Sequence, residues 1–140
     1  MNTRKLIRCL GLALLVVTQS FAQQPPKREF RGTWIHTVGN KDYQHMTTEE
    51  TKKHFTDLLD EFEAAGINAI IFQVRPTADA FYASELEPWS RYFTGEQGKA
   101  PDPFWDPLQF MIEECHNRGM ELHAWFNPYR VTLTDTEELC

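Results

Sequence analysis

Gly66-Ile67-Asn68-Ala69-Ile70-Ile71-Phe72-Gln73-Val74-Arg75-Pro76 and Gly119-Met120-Glu121-Leu122-His123-Ala124-Trp125-Phe126-Asn127-Pro128 follow one design. Each starts on a glycine and an apolar residue, runs through aliphatic and aromatic residues, and closes on a polar residue and a nearby proline. Such runs are strands bounded by breakers. An amphipathic helix precedes each. Before Gly66, Thr47 and Glu50 stand at capping-box spacing, and Phe55, Leu58, Leu59 and Phe62 recur on one helical face. Before Gly119, Asp106 is a good N-cap, Pro107 suits the first helical position, and Gln109 again has capping-box spacing. Leu108, Met111, Ile112 and Cys115 make that helix's apolar stripe. Helices alternating with strands in this way form right-handed βαβ units around a parallel sheet. Asn68 to Val74 reads as one strand, almost continuously apolar as a strand covered on both faces should be, and Glu121 to Phe126 as the next.

Arg31 to Val38 reads as a preceding strand and Gly39 to Met46 as its loop. Trp34 is expected in the core, as is a hydrogen-bonded His123. The segment from Arg75 to Trp105 is rich in Pro, Gly and aromatics and reads as a long irregular loop. Periodicity alone does not separate a barrel from a doubly wound sheet, but no glycine-rich phosphate loop follows any strand, which weakens the nucleotide-binding version.

The N-terminus carries a different signal. Arg4, Lys5 and Arg8 precede an apolar run from Cys9 to Val17, and Ser20-Phe21-Ala22 puts small residues at the −3 and −1 positions. This is the pattern of a cleaved secretory signal over residues 1–22. The apolar run is far shorter than the ~20 residues a membrane span needs, so stable membrane insertion after cleavage is not expected. Residues 23–27, with Pro25-Pro26, read as a linker, and the domain occupies 28–140. Export places the chain in the periplasm or outside the cell. Cys9 leaves with the signal, Cys115 is expected as a small core residue, and a Cys115–Cys140 disulfide is the alternative. Formal net charge is −6, which repels a phosphate backbone and argues against nucleic acid. No zinc-spaced Cys/His cluster, G-x-S-x-G elbow, Walker loop or H-E-x-x-H pair occurs, so neither metal nor cofactor is expected.

In parallel α/β folds the ligand lies beyond the C-terminal ends of the strands. That rule selects His36 to Asn40, Arg75 to Trp105, and Asn127 to Arg130. Within them Arg75, Asp79, Asn127 and Arg130 suit hydroxyls or a carboxylate, and Trp89, Trp125 and Tyr129 offer flat faces for a sugar ring. Each has a plainer reading: Arg75 paired with Asp79 across a turn, Trp125 in the core, Asn127 serving the turn before Pro128.

Arg28-Glu29-Phe30-Arg31-Gly32-Thr33-Trp34-Ile35, Phe72 to Tyr82, Glu87-Pro88-Trp89-Ser90, Thr94 to Gly98, Trp105-Asp106-Pro107-Leu108 and Leu122 to Arg130 resemble, in order, the N-terminal blocks of the bacterial glycosyl-hydrolase-like family 10. The resemblance implies an exported TIM-type (β/α)8 barrel, of which about three β/α units would lie here, and hydrolysis of O-glycosidic bonds in polysaccharide or cell-envelope glycans, peptidoglycan glycan strands included. A complete barrel typically takes ~250 residues, so the domain is expected to be truncated at its C-terminus. Glycoside hydrolysis uses a pair of carboxylates. In related barrels these lie on later strands, so the catalytic residues are expected beyond Cys140, and the chain alone is expected to be inactive. The alternative is a non-catalytic glycan-binding or degenerate fragment.

Mass spectrometry of protein recovered from the periplasm should find Gln23 as the first residue; Met1 retained on membrane-bound protein would contradict the signal reading.

Overall fold

The computed structural model describes residues 29–133. The signal, the linker and Cys140 lie outside them. Three strands, β1 (Gly32–Ile35), β2 (Ala69–Arg75) and β3 (Glu121–Phe126), form one parallel sheet in the order β1-β2-β3. Helix α1 (Thr48–Ala64) joins β1 to β2, and α3 (Pro107–Asn117) leads into β3. The architecture is α/β, with helical crossovers between neighbouring parallel strands.

The local signals work as their chemistry requires. Thr47 accepts from the Glu50 amide, and the Glu50 carboxylate accepts from the Thr47 amide at 2.8 Å, closing the capping box at the start of α1. The Glu50 carboxyl is held below its ordinary range by those Thr47 hydrogen bonds. Gly66 and Gly119 end the helices with φ of +78° and +67°, a region where a Cβ is strained. Asp106 caps α3 by accepting from the Gln109 amide at 3.0 Å. The Gln109 side chain turns to Glu113 instead, so the reciprocal half of that capping box is not made.

Both long helices lie on one face of the sheet. Phe55 and Leu59 of α1 and Met111 and Cys115 of α3 are buried with Ile35, Ile70, Phe72 and Val74. Leu58, Phe62 and Leu122 pack at the margin of this cluster. Arg118, near the end of α3, ties the helices together through Asp60 and Glu114. Burial pushes the Cys115 thiol up to about 11, so it packs as an inert small side chain. No helix among the described residues is long and apolar enough to cross a membrane.

The opposite face corrects two expectations. Trp34 is 61% exposed, because strand alternation puts it on the side away from the helices, with Ile71 in register. Its ring stands edge-on against Trp125 with centroids 4.9 Å apart. His123 is also exposed on this side, 3.1 Å from the Glu121 carboxylate and edge-on to Phe30.

The segment after β2 is packed rather than irregular. Ala80 and Trp89 form a parallel bridge, and a short helix, α2 (Arg91–Thr94), is capped by Ser90 and ended by Gly95 at φ +83°. Phe81, Tyr92, Phe93 and Trp105 are buried and join the main core; the Phe81 ring lies 6.4 Å from Phe72 and 5.3 Å from Phe93. Asp79 is fully buried at the base of this segment. Its Oδ1 accepts from the Thr77 amide at 2.9 Å, closing a turn in which Ala78 holds the left-handed φ of +52°. Its Oδ2 has no hydrogen-bond partner among the described residues. Burial raises the carboxyl above the ordinary range, against the opposing influence of Ser90, Thr77 and Arg91.

Two stability outcomes follow from this packing. Phe55→Ala should cost about 3–5 kcal/mol, the usual range for emptying a buried Phe site. Trp34→Ala should cost only about 0.5–1.5 kcal/mol, the worth of one aromatic pair. Urea unfolding measures both, and equal costs would contradict the assignment of faces. For Asp79 the folded pKa lies above the unfolded one. Its contribution to stability is therefore complete below the unfolded value near 3.8 and is lost as pH rises through the folded value. Asp79→Asn keeps the acceptor for Thr77 and removes that loss. Its thermal midpoint should exceed the wild type's at pH 7, with the gap closing as pH falls towards 4; a lower midpoint at pH 7 would contradict this.

Candidate functional site

The three strand ends are stitched by one side chain. Gln73, in the otherwise apolar β2, is fully buried. Its Oε1 accepts from the Thr37 and Val38 amides at 2.8 and 2.9 Å, just past β1. Its Nε2 donates to Asn127 Oδ1, just past β3. Thr37 returns a bond from its hydroxyl to the Gln73 carbonyl at 3.0 Å. A carboxamide suits the place because it offers acceptor and donor together, and both directions are used.

One residue further on, the register slips: Gln73 pairs with Trp125 and Arg75 with Phe126. The bulge lets the Val74 carbonyl accept from the Phe81 amide at 2.9 Å, which fastens the following loop to the strand end. The Arg75 side chain lies beyond the bulge. Its Nε donates to Glu87 Oε1 and its Nη1 donates to the Asn127 carbonyl at 2.7 Å. Both members of the ion pair are mostly buried, with side chains 17% and 21% exposed.

Arg75 and Glu87 form the polar floor of an open pocket of about 510 Å³. Its walls are Tyr82, Leu86, Phe126 and Pro128, with Ser84 at the margin. Ser84 Oγ accepts from the Leu86 and Glu87 amides at 3.1 Å, which shapes the turn presenting Glu87. The Tyr82 ring sits 6.4 Å from Phe126. Burial, followed by the neighbouring Glu87 carboxylate, raises the Tyr82 phenol. The arrangement offers fixed hydrogen-bonding groups between apolar rings, the composition of a small-ligand site.

The residues singled out from the sequence are distributed unevenly. Arg75 lines the pocket, and Asn127 borders it through its backbone carbonyl while its side chain holds Gln73. Arg75 pairs with Glu87, not with Asp79, which lies buried beneath the loop. Trp89 rests between Phe93 and Phe104 and does not line the pocket. Trp125 stands against Trp34 on the sheet face away from the helices. Tyr129 is 94% exposed, and Arg130 is half-buried; neither lines the pocket. Gln73 and Tyr82 were not among the residues singled out from the sequence, and Glu87 stood there only as a loop carboxylate near the strand ends, beside Asp79 and Glu85. Gln73 had a usable signal, a lone polar residue inside an apolar strand. The pairing of Glu87 with Arg75 had none, because the two stand twelve residues apart across an irregular loop.

Comparison with known proteins fits this construction. The model of the family described as "Glycosyl hydrolase-like 10" matches residues 29–139. The chain is 51% identical over 132 residues to glycosyl hydrolase YngK of Bacillus subtilis (strain 168), covering 91% of this chain and 26% of that protein. It is 37% identical over 134 residues to glycosyl hydrolase DigH of Escherichia coli (strain K12), covering 84% of this chain and 30% of that one. The chain thus spans between a quarter and a third of the length of these relatives. With the match running through every described strand and helix, the chain belongs to the glycosyl hydrolase-like 10 family.

Proposed function

We propose that this chain supplies the sugar-binding end of an exported glycoside hydrolase acting on cell-envelope polysaccharide, peptidoglycan glycan strands included. The observation that carries the reading is the pocket of Arg75, Glu87, Tyr82 and Phe126 at the C-terminal ends of two adjacent parallel strands. In a TIM-type barrel that end of the sheet is where substrates bind. On this reading residues 28–140 are the opening β/α units of such a barrel, residues 1–22 a cleaved signal, and the compartment the periplasm or the exterior. The family and the names of its relatives support a glycosidase-like activity and a carbohydrate substrate.

A second reading, glycan binding without cleavage by this chain, draws on one feature. Glycoside hydrolysis needs two carboxylates flanking the bond. The carboxylate lining the pocket, Glu87, is already engaged by Arg75.

Purified peptidoglycan glycan strands should bind the protein, and Arg75→Ala should weaken that binding about tenfold or more, measured by titration calorimetry. Asn127→Ala should additionally lower the thermal midpoint, because Gln73 Nε2 loses its acceptor and a buried unsatisfied donor costs about 1–3 kcal/mol. This chain alone should release no reducing ends on either reading; release by the chain joined to the remaining barrel units of a family relative supports the hydrolase, and binding without release in that context supports the second reading. No binding at all contradicts both.

A further inference from the structure

We infer that the Arg75–Glu87 pocket is a subsite for an uncharged sugar ring and rejects a ring bearing a carboxylate. The inference deepens the glycan reading and rests on it. An arginine at a sugar site is ordinarily an invitation to an acidic sugar, since a guanidinium takes a carboxylate in a fork of two hydrogen bonds. Here two of the five N–H donors are already occupied. Nε is held by Glu87 and Nη1 by the Asn127 carbonyl. Nη2 has no hydrogen-bond partner among the described residues. What Arg75 offers a ligand is thus three of its five N–H donors, both on Nη2 and the second on Nη1, with its charge cancelled by the adjacent carboxylate.

The rest of the lining points the same way. Arg75 and Glu87 are its charged side chains, so the floor has no net charge. Both are largely withdrawn from water, so a second carboxylate gains no net attraction from the pair and gives up its own hydration on entering. The Tyr82 phenol, whose pKa burial and then Glu87 raise, adds a neutral donor and acceptor. A hydroxyl of a neutral sugar accepts from Nη2 and donates to Glu87 or Tyr82, satisfying both sides at once. A carboxylate has no proton to donate to either. The apolar walls of Leu86, Phe126 and Pro128 suit the C–H face of the ring or an acetamido methyl group. Glu87 is therefore the residue that sets the charge preference, and in an alternating glycan the pocket holds the uncharged unit.

The test is calorimetric titration of the full chain with two probes of equal length, a neutral N-acetylhexosamine tetramer and a hexuronic acid tetramer. The wild type should bind the neutral probe at least tenfold more tightly. Glu87→Gln should narrow or reverse that ratio by tenfold or more through tighter binding of the acidic probe, and the gain should fade as salt is raised. Equal binding of the two probes by the wild type overturns the charge preference while leaving the glycan reading intact. An unchanged ratio in a folded Glu87→Gln protein overturns the role of Glu87. Binding of neither probe overturns the glycan reading and this inference with it. Should the variant fail to fold, the wild-type comparison alone still decides.

Discussion

The Gln73 carboxamide is the constraint on which this site depends. It sits where three parallel strands end and where regular pairing no longer satisfies the backbone. Thr37 and Val38 have left β1, Asn127 has left β3, and each would present an unpaired polar group to a buried region. Leaving such groups unsatisfied costs about 1–3 kcal/mol apiece, so one side chain meeting three of them outweighs several ordinary surface contacts. Its neighbours inherit the geometry. With the strand ends tied, the bulge at Val74 has a fixed place, Arg75 is aimed between Phe126 and the loop, and the Asn127 carbonyl is in position to take Nη1.

The loop after β2 is the second determinant. It closes on the strand end through Phe81 and Val74, is clamped by the buried Asp79, and is filled by its own aromatics, Phe81, Phe93 and Trp105. A segment with such a core behaves as an added layer of the fold rather than as a mobile lid. That rigidity is what allows Glu87 and Tyr82, both carried on it, to serve as fixed walls opposite β3. Asp79 lies at the base of that loop with one oxygen bound to the Thr77 amide and its carboxyl raised by burial.

Much of the scaffold was legible because its signals are local. Thr47 with Glu50, Asp106 with Pro107, and the glycines at 66 and 119 each fix an element end through contacts within a few residues. The strand from Glu121 to Phe126 was readable to the residue for the same reason. What escaped was set by tertiary geometry. Trp34 looks like a core residue in any strand, and only the sidedness of the helices leaves it exposed. Arg75 and Asp79, four residues apart, invited a local pair that the bulge and the buried turn prevent. Glu87 and Tyr82 come to the pocket along a path with no periodicity to follow.

Amide hydrogen exchange in Gln73→Leu tests the central claim most directly. Leucine keeps the volume and removes both ends of the stitch. If Gln73 ties the strand ends, the Thr37 and Val38 amides should exchange at the rate of an open loop while Ile70 and Phe72 in β2 stay protected, and glycan binding at Arg75 should fall with them. Thr37 and Val38 amides as protected as in the wild type, with binding unchanged, would show that the strand ends hold their places without it.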